Sequence, residues 1–258
     1  MTDRGLEEAI RAAGGVTELA RRIGISQPSV SNWSRVPAER VLTVEAVTGV
    51  ARAILRPDLY DENNQTTGID EVDLARAQEY ALLAALLTRA PDAEFLKRLA
   101  ALRGDPTPLG VAHVGLADAA GRADATKVER EFFNLFIGIG RGELMPYGSY
   151  YIAGFLHERP LARLREDLAR LGIERVEGQY ESEDHAAILC EIMSGIAGGL
   201  FPAPAGADRE LFATHLAPWL GRFFADLERA DGADFYRSVG ALGCAFMEIE
   251  SEAFALAG

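Results

Sequence analysis

Two stretches of the chain hold the residues best suited to binding chemistry. The first, residues 131–151, reads EFFNLFIGIGRGELMPYGSYY and joins an aromatic run to glycines at 138, 140 and 142. Each of those glycines would cost about 1 kcal/mol inside a helix, so their spacing predicts a loop. The second, residues 180–193, reads YESEDHAAILCEIM and opens a helical pattern with acidic residues and a histidine. Taken alone, the aromatic run and its loop are ambiguous between core packing and an exposed groove.

Arrangements that would support catalysis are missing from the sequence. The three glycines make neither a dinucleotide-binding fingerprint nor a phosphate-binding loop, and no predicted strand precedes them. There is no paired Glu-x-x-His pattern for a di-iron site and no Gly-x-Ser-x-Gly elbow. The four histidines and two cysteines fit no zinc spacing and no disulfide framework: His113, His157, His185, His215, Cys190 and Cys244. We therefore expect no enzyme, no catalytic residue, no metal and no cofactor.

Charge divides the chain into two parts. The net charge is −13, with 26 basic and 39 acidic residues. Residues 1–60 hold 8 basic and 7 acidic side chains, whereas the remaining residues hold 18 and 32. An acidic body of this kind repels nucleic acid and suits a basic ligand. The sequence has no apolar run of about 18 residues and no apolar signal core at its start, so we expect a cytoplasmic protein.

The first sixty residues predict short helices around a small core. Gly24 permits a tight turn between the second helix and the third, and the third helix carries Pro28 in its first turn. This is the spacing of a helix-turn-helix. Short polar side chains on the outer face of the third helix can read base edges, and an arginine just beyond can contact phosphate. The predicted DNA-binding residues are Gln27, Ser29, Ser31, Asn32 and Arg35.

The segment GGVTELARRIGISQPSVSNWSRVPAERVLTVEAVTG resembles the Cro-type, YdaS-like helix-turn-helix domain over about residues 4–60. The resemblance implies a DNA-binding domain at residues 1–60 and DNA as a partner. A helix-turn-helix that mediates protein contacts is the open alternative. DNA-binding proteins of this type usually bind two half-sites. A homodimer is therefore also an open possibility, with the last helix of the chain as its contact.

Beyond this domain the pattern is all-α. DENNQTTGID, at 61–70, is polar and without apolar period, which predicts a linker. From residue 71 to residue 258 every periodic segment is helical, and this part of the chain is long enough to form a core of its own. The predicted fold class is therefore a small helix-turn-helix domain joined by a short linker to an all-helical bundle.

The two stretches in the body resemble the motifs of the TorD/DmsD family of redox-enzyme maturation chaperones, over about residues 72–255. The first motif is met by Glu131, Phe132, Leu135, Phe136, Gly138, Gly140, Pro146, Tyr147, Ser149 and Tyr151. The second, Glu-Pro-x-Asp-His, is met by Glu181, Asp184 and His185, with Ser182 in place of proline. We expect this replacement to loosen the loop that enters the helix.

The resemblance implies a TorD-like all-helical chaperone of a molybdenum-cofactor oxidoreductase exported by the twin-arginine route. Such a chaperone binds the twin-arginine signal peptide and the apo form of the molybdoenzyme precursor, without inserting into a membrane. The residues implied for leader-peptide binding are Phe136, Gly138, Gly140, Pro146, Tyr147, Tyr150, Glu181, Asp184 and His185. We expect the phenylalanines to hold the fold and the loop at 138–147 to meet the partner.

Two other interpretations of the sequence are open. One is a transcription regulator whose helical body senses a ligand or partner and dimerises. The other is a helical enzyme, which the missing catalytic patterns disfavour. For Asp184 and His185, a local role at the start of a helix is the alternative to ligand binding, since an acidic group there complements the helix dipole.

Overall fold

The computed structural model describes residues 3–37, 40–57, 70–175 and 181–256. Over these ranges the regular secondary structure is helical and includes no strand, apart from one isolated bridge between two residues. The all-α prediction is confirmed. The chain divides into two compact units, residues 1–70 and residues 71–258. The predicted linker at 61–70 lies outside the described residues except for Asp70, so it stays a prediction.

The N-terminal unit contains five helices in the part of the chain that is described. They are α1 (Arg4–Ala13), α2 (Val16–Ile23), α3 (Gln27–Ser31), α4 (Val41–Thr48) and α5 (Arg52–Leu55). The carboxylate of Asp3 accepts a hydrogen bond from the Gly5 amide and begins α1. Gly24 takes φ +73° at the end of α2, so the predicted turn glycine is confirmed. Buried Leu6, Leu19 and Val30 form part of the core that joins these helices.

The second unit, which we call the body, is built from ten further α-helices and two short π-helices among its described residues. The first four α-helices lead to a π-helix at Phe133–Ile137, and the second π-helix, Phe212–Leu216, follows α13. The α-helices are α6 (Glu71–Thr88), α7 (Ala93–Ala100), α8 (Pro108–Arg122), α9 (Ala125–Phe132), α10 (Gly148–Ala153), α11 (Arg159–Arg170), α12 (Ala186–Ala197), α13 (Ala207–Leu211), α14 (Leu220–Arg229) and α15 (Phe235–Leu256).

Aromatic side chains fill the centre of the body. Trp219, Phe223 and Phe224 are fully buried with Tyr80 and Tyr236. Burying a large apolar side chain contributes about 1.5–3 kcal/mol, so this group supplies much of the driving force for folding. Helix α6 packs along α12, and α14 packs along α15. The last two approach closely because they meet at glycine: a Cβ on residue 240 would lie 2.4 Å from the Glu228 amide nitrogen.

A buried ion pair ties the first body helix to the last. The guanidinium of Arg76 donates to both carboxylate oxygens of Glu250, at 2.7 and 2.9 Å, and the Tyr80 hydroxyl donates to Glu250 at 2.8 Å. Glu250 is fully buried, so losing Arg76 would leave the charge of this carboxylate without compensation. This network belongs to the framework of the body. Among the described residues, no helix is long and apolar enough to span a bilayer.

Candidate functional site

The two stretches singled out in the sequence meet in the folded body. The Ala186 amide donates to the Pro146 carbonyl at 2.8 Å, and the Gly148 amide donates to the Asp184 carbonyl at 2.9 Å. Tyr147 and His185 therefore face each other in a single antiparallel bridge. We call residues 146–149 and 181–186, joined in this way, the motif junction. It fixes the start of α10 against the start of α12.

Side chains reinforce the motif junction on its outer side. The Tyr147 hydroxyl donates to Glu181 Oε1 at 2.7 Å, and the Tyr147 ring lies edge-to-face on the His185 ring at 5.0 Å between centroids. Burial and the neighbouring Glu181 carboxylate raise the pKa of Tyr147 above 10, so the phenol stays a donor at neutral pH. Glu181 is exposed, and its Oε2 has no hydrogen-bond partner within the described chain. One carboxylate oxygen is thus available to an incoming cation.

Asp184 is placed inside the motif junction. It is only 3% exposed. One carboxylate oxygen accepts from the Ser149 amide at 2.8 Å, and the other accepts from the Ser182 hydroxyl at 2.7 Å. Both carboxylate oxygens of Asp184 therefore already accept hydrogen bonds from within the chain. Ser182, which stands where the family has proline, is buried and fastens the loop that we expected to be looser.

His185 is also turned toward the protein. Its Nδ1 accepts from the Ala187 amide at 3.1 Å and caps the start of α12. Burial lowers the pKa of His185 below 6.5, and this effect outweighs the opposing influence of Glu181 and Asp184. The imidazole is therefore neutral at pH 7. The local, helix-starting alternative describes the contacts of both Asp184 and His185 well, and their part in leader binding stays a prediction.

Glu183 already binds two arginines of the body. Its Oε2 accepts from Arg165 at 2.8 Å and from Arg175 at 2.9 Å. Neither arginine was singled out in the sequence, because each lies far from the acidic motif and no local spacing marks the pairing. Their presence leaves Glu181 as the acidic group of this motif best placed to accept a guanidinium from a partner.

The glycine loop presents apolar surface beside the aromatic run. It begins where the π-helix ends at Gly138, which has φ +63° and ψ 174°, a conformation that only glycine adopts readily. The loop is held by hydrogen bonds from the Glu143 amide to Asn134 at 3.1 Å and from the Leu144 amide to Leu135 at 2.8 Å. Ile139, which follows Gly138 in this loop, is 98% exposed. The predicted break of the helix at the glycines agrees with this geometry.

The predicted aromatic contacts divide into two kinds. Phe136 packs against Phe132 and Tyr236, with centroids 5.0 and 5.4 Å apart, and so serves the core. Tyr150 is partly exposed, and the guanidinium of Arg141 lies 5.1 Å from its ring centroid. Tyr150 thus already engages one cation at the surface. Pro146 is buried within the motif junction, and Gly140 takes φ +88° at the loop.

The N-terminal unit exposes the face that the sequence predicts for DNA. Helix α3 buries Val30 and leaves its polar side exposed, and the amide of Gln27 donates to the Ser31 hydroxyl at 2.7 Å. The predicted residues all lie at the surface: Gln27, Ser29, Ser31, Asn32 and Arg35. Two neighbouring arginines of α2 are held by one acid, because Glu18 accepts from Arg21 and Arg22.

Comparison with known proteins matches both units to families. Residues 102–225, which include both motifs, match the family model described as nitrate reductase delta subunit, and residues 6–64 match the model described as bacterial toxin YdaS. The chain is 26% identical over 137 residues to chaperone protein TorD of Vibrio cholerae serotype O1, in the El Tor Inaba strain N16961 and in the Classical Ogawa strain O395. The body is therefore similar to TorD over the matched residues, and the N-terminal unit is similar to a Cro-like helix-turn-helix domain. Both resemblances seen in the sequence are confirmed.

The extent of these matches is partial. The aligned part covers 49% of this chain and 62% of the curated TorD relatives. A solved structure of a protein assigned to redox enzyme maturation from Archaeoglobus fulgidus is 20% identical, with a TM-score of 0.48. That likeness covers 67% of this chain and 93% of the archaeal one.

Proposed function

We propose that the TorD-like body is a cytoplasmic chaperone that binds the twin-arginine leader of a molybdenum-cofactor oxidoreductase, and its apo form, before export. The observation that carries the proposal is the exposed carboxylate of Glu181, fixed by the Tyr147 hydroxyl at 2.7 Å. A carboxylate held in place by a donor on one oxygen offers the other to a guanidinium at little entropic cost.

The apolar part of the leader has matching surface on the same stretch of chain. Ile137 is exposed at the end of the π-helix, and Ile139 is exposed on the loop that leads from it toward Tyr147. Neighbouring exposed apolar side chains offer surface that a partner can cover. The acidic balance of the body adds a long-range attraction for a basic peptide. The curated relatives named TorD are chaperones, which supports binding without catalysis.

The test is the affinity of the purified full chain for synthetic leader peptides from the molybdoenzymes of its source organism. We expect a leader with two arginines to bind, and Glu181→Gln to weaken it about tenfold, because one charge-assisted hydrogen bond is lost. The matched control is Glu129→Gln, an exposed acid outside the motif junction, which should change affinity less than twofold. Equal affinities for the Glu181→Gln variant and the wild-type protein would overturn the assignment of Glu181.

We also propose that the N-terminal unit binds DNA, which would link expression of the client genes to unoccupied chaperone. The exposed side chains of Gln27, Ser31 and Asn32 lie on or directly after one short helix and can donate to and accept from base edges. Binding of genomic fragments from the source organism should weaken with salt and with Asn32→Ala. The absence of any salt-sensitive shift would leave protein contact as the role of this unit.

A further inference from the structure

A cavity of about 360 Å³ lies behind the motif junction, between α10, α11, α12 and the second π-helix. Its volume is near the lower end of the range for small-molecule sites. Most of its wall is apolar, and the apolar lining residues are Ile152, Pro160, Leu164, Leu189 and Pro218. A space of this kind fits the apolar part of a small ligand.

Two arginines from consecutive turns of α11 also line this cavity. Arg159 and Arg163 are both exposed, and neither has a hydrogen bond or an ion pair with another described residue. Like charges four residues apart on a helix destabilise it by a few tenths of a kcal/mol. Many other arginines of the body are paired with carboxylates, whereas these two are not paired with any described residue, and an anion between them would relieve their mutual repulsion.

The polar groups on the other walls form no ion pair with the two arginines in the described part of the chain. The carboxylate of Asp184 lines the cavity and accepts from Ser149 and Ser182, so the lining holds two arginines against one carboxylate. His215 Nε2 lies 2.6 Å from the Asp167 carboxylate, so this ring nitrogen already has a hydrogen-bond partner. The adjacent Thr214 hydroxyl has no hydrogen-bond partner in the described part of the chain and is available to a ligand.

We propose that this cavity binds a small amphipathic anion, with its carboxylate or phosphate between Arg159 and Arg163 and its apolar part against Ile152, Leu164 and Leu189. The charge of the cavity is opposite to that of Glu181. The arginines of a leader peptide would be repelled here, so the cavity takes a second ligand. This inference goes beyond the proposed leader binding and does not depend on it.

Calorimetric titration of the full chain with octanoate, octyl phosphate and octanol tests the proposal. At least one of the two anions should bind saturably, and neutral octanol should bind at least tenfold more weakly. The double variant R159Q/R163Q should lose at least tenfold in affinity for the anion. The matched control R89Q/R122Q removes the same charge from two exposed arginines outside the cavity and should stay within twofold of wild type.

A second variant tests the cavity wall without removing either arginine. Ile152→Glu places an acid in the cavity wall and should lower the affinity for the anion as strongly as the double arginine variant does. Unfolding curves of each variant show that the fold is kept. Failure of both anions to bind saturably, binding of octanol as tight as that of the better anion, or equal loss in R159Q/R163Q and R89Q/R122Q, would overturn the proposal. The comparison of octanoate with octyl phosphate distinguishes a carboxylate ligand from a phosphorylated one.

Discussion

The Tyr147 hydroxyl lies 2.7 Å from the Glu181 carboxylate, although 34 residues separate them in sequence. This single bond joins the first motif of the body to the second on the surface of the motif junction. Because the tyrosine ring also packs on His185, its position is set by the buried side of the same junction. The exposed carboxylate that we propose for leader binding is thereby fixed by the packing beneath it, which is how a charged surface group becomes selective.

Removing the Tyr147 hydroxyl should therefore weaken leader binding while preserving the fold. Tyr147→Phe keeps the ring contact and loses one hydrogen bond, so we expect about a three- to tenfold loss in leader affinity. Combined with Glu181→Gln in a double-mutant cycle, the two losses should be strongly non-additive, since Tyr147 acts on the leader through the Glu181 carboxylate that the second substitution removes. Peptide titrations of the four proteins measure this. Simple additivity would show that the tyrosine does not position the acid.

Substitution of Asp184 should act on stability. Asp184→Asn places an amide donor beside the Ser149 amide or the Ser182 hydroxyl and leaves a buried group unsatisfied. We expect a loss of about 1–3 kcal/mol in the free energy of unfolding. Urea denaturation measures it, with exposed Asp118→Asn as the control, which should change stability by less than about 0.5 kcal/mol. An unchanged stability in Asp184→Asn would instead leave this carboxylate free for a role in binding.

Much of the architecture follows from apolar periodicity alone. The helical spacing of leucines and phenylalanines predicts the all-α body, and the turn at Gly24 predicts the helix-turn-helix. Motif resemblance also places the two stretches on one face, and in the structure the Tyr147 hydroxyl lies 2.7 Å from Glu181. These features depend on local pattern or on a family signature, both of which are written in a single sequence.

Other features needed the structure because they depend on distant partners. Residues 133–137 and 212–216 have ordinary helical patterns, yet both wind as π-helices. Spacing places Glu183 in the acidic motif but cannot reveal that Arg165 and Arg175 already bind it. In the same way, the sequence places Asp184 at the start of a helix without showing that Ser149 and Ser182 occupy its oxygens.

Two of the three glycines of the loop, Gly138 and Gly140, should respond differently to substitution. At Gly138 an added Cβ would lie 2.1 Å from the Arg141 carbonyl oxygen, in addition to the strained backbone. At Gly140, with φ +88°, no atom lies within 4 Å of an added Cβ. We therefore expect Gly138→Ala to cost about 1–3 kcal/mol of stability or to displace the loop, and Gly140→Ala to cost less. Thermal unfolding and leader titration of the pair test this; equal effects would contradict the loop geometry.

A histidine of α8 should make stability depend on pH near neutrality. His113 Nε2 lies 2.6 Å from Glu79 Oε1, and this hydrogen bond raises the pKa of His113 above 6.5 against the opposing effect of burial. Because the pKa of His113 is higher in the folded state, the ion pair with Glu79 stabilises the protein fully below pH 6.5. This stabilisation is lost as the pH rises through the folded-state pKa of His113. Glu79 Oε2, which is buried without a hydrogen-bond partner in the described chain, adds to the cost of an uncharged histidine.

The measurement is the free energy of unfolding between pH 5 and pH 9 for wild type and His113→Gln. The stability advantage of wild type over the variant should shrink as the pH rises above 6.5. Glu79→Gln should remove the same slope, because it removes the carboxylate that raises the pKa. A difference between wild type and His113→Gln that stays constant with pH would show that the pair contributes no linked protonation.

Glu18 should limit the affinity of the N-terminal unit for DNA. Its pKa is lowered to about 2 by hydrogen bonds from Arg21 and Arg22, so the carboxylate is charged throughout the useful pH range and holds both arginines. Glu18→Gln should release them toward phosphate, tighten binding to genomic fragments several-fold and steepen its salt dependence by about 0.9 for each additional phosphate that is neutralised. Glu8→Gln is the matched control, since it releases Arg11 from a similar pair on α1. An equal increase in affinity in both variants would mean that net charge, and not the position of Arg21 and Arg22 on α2, sets the affinity.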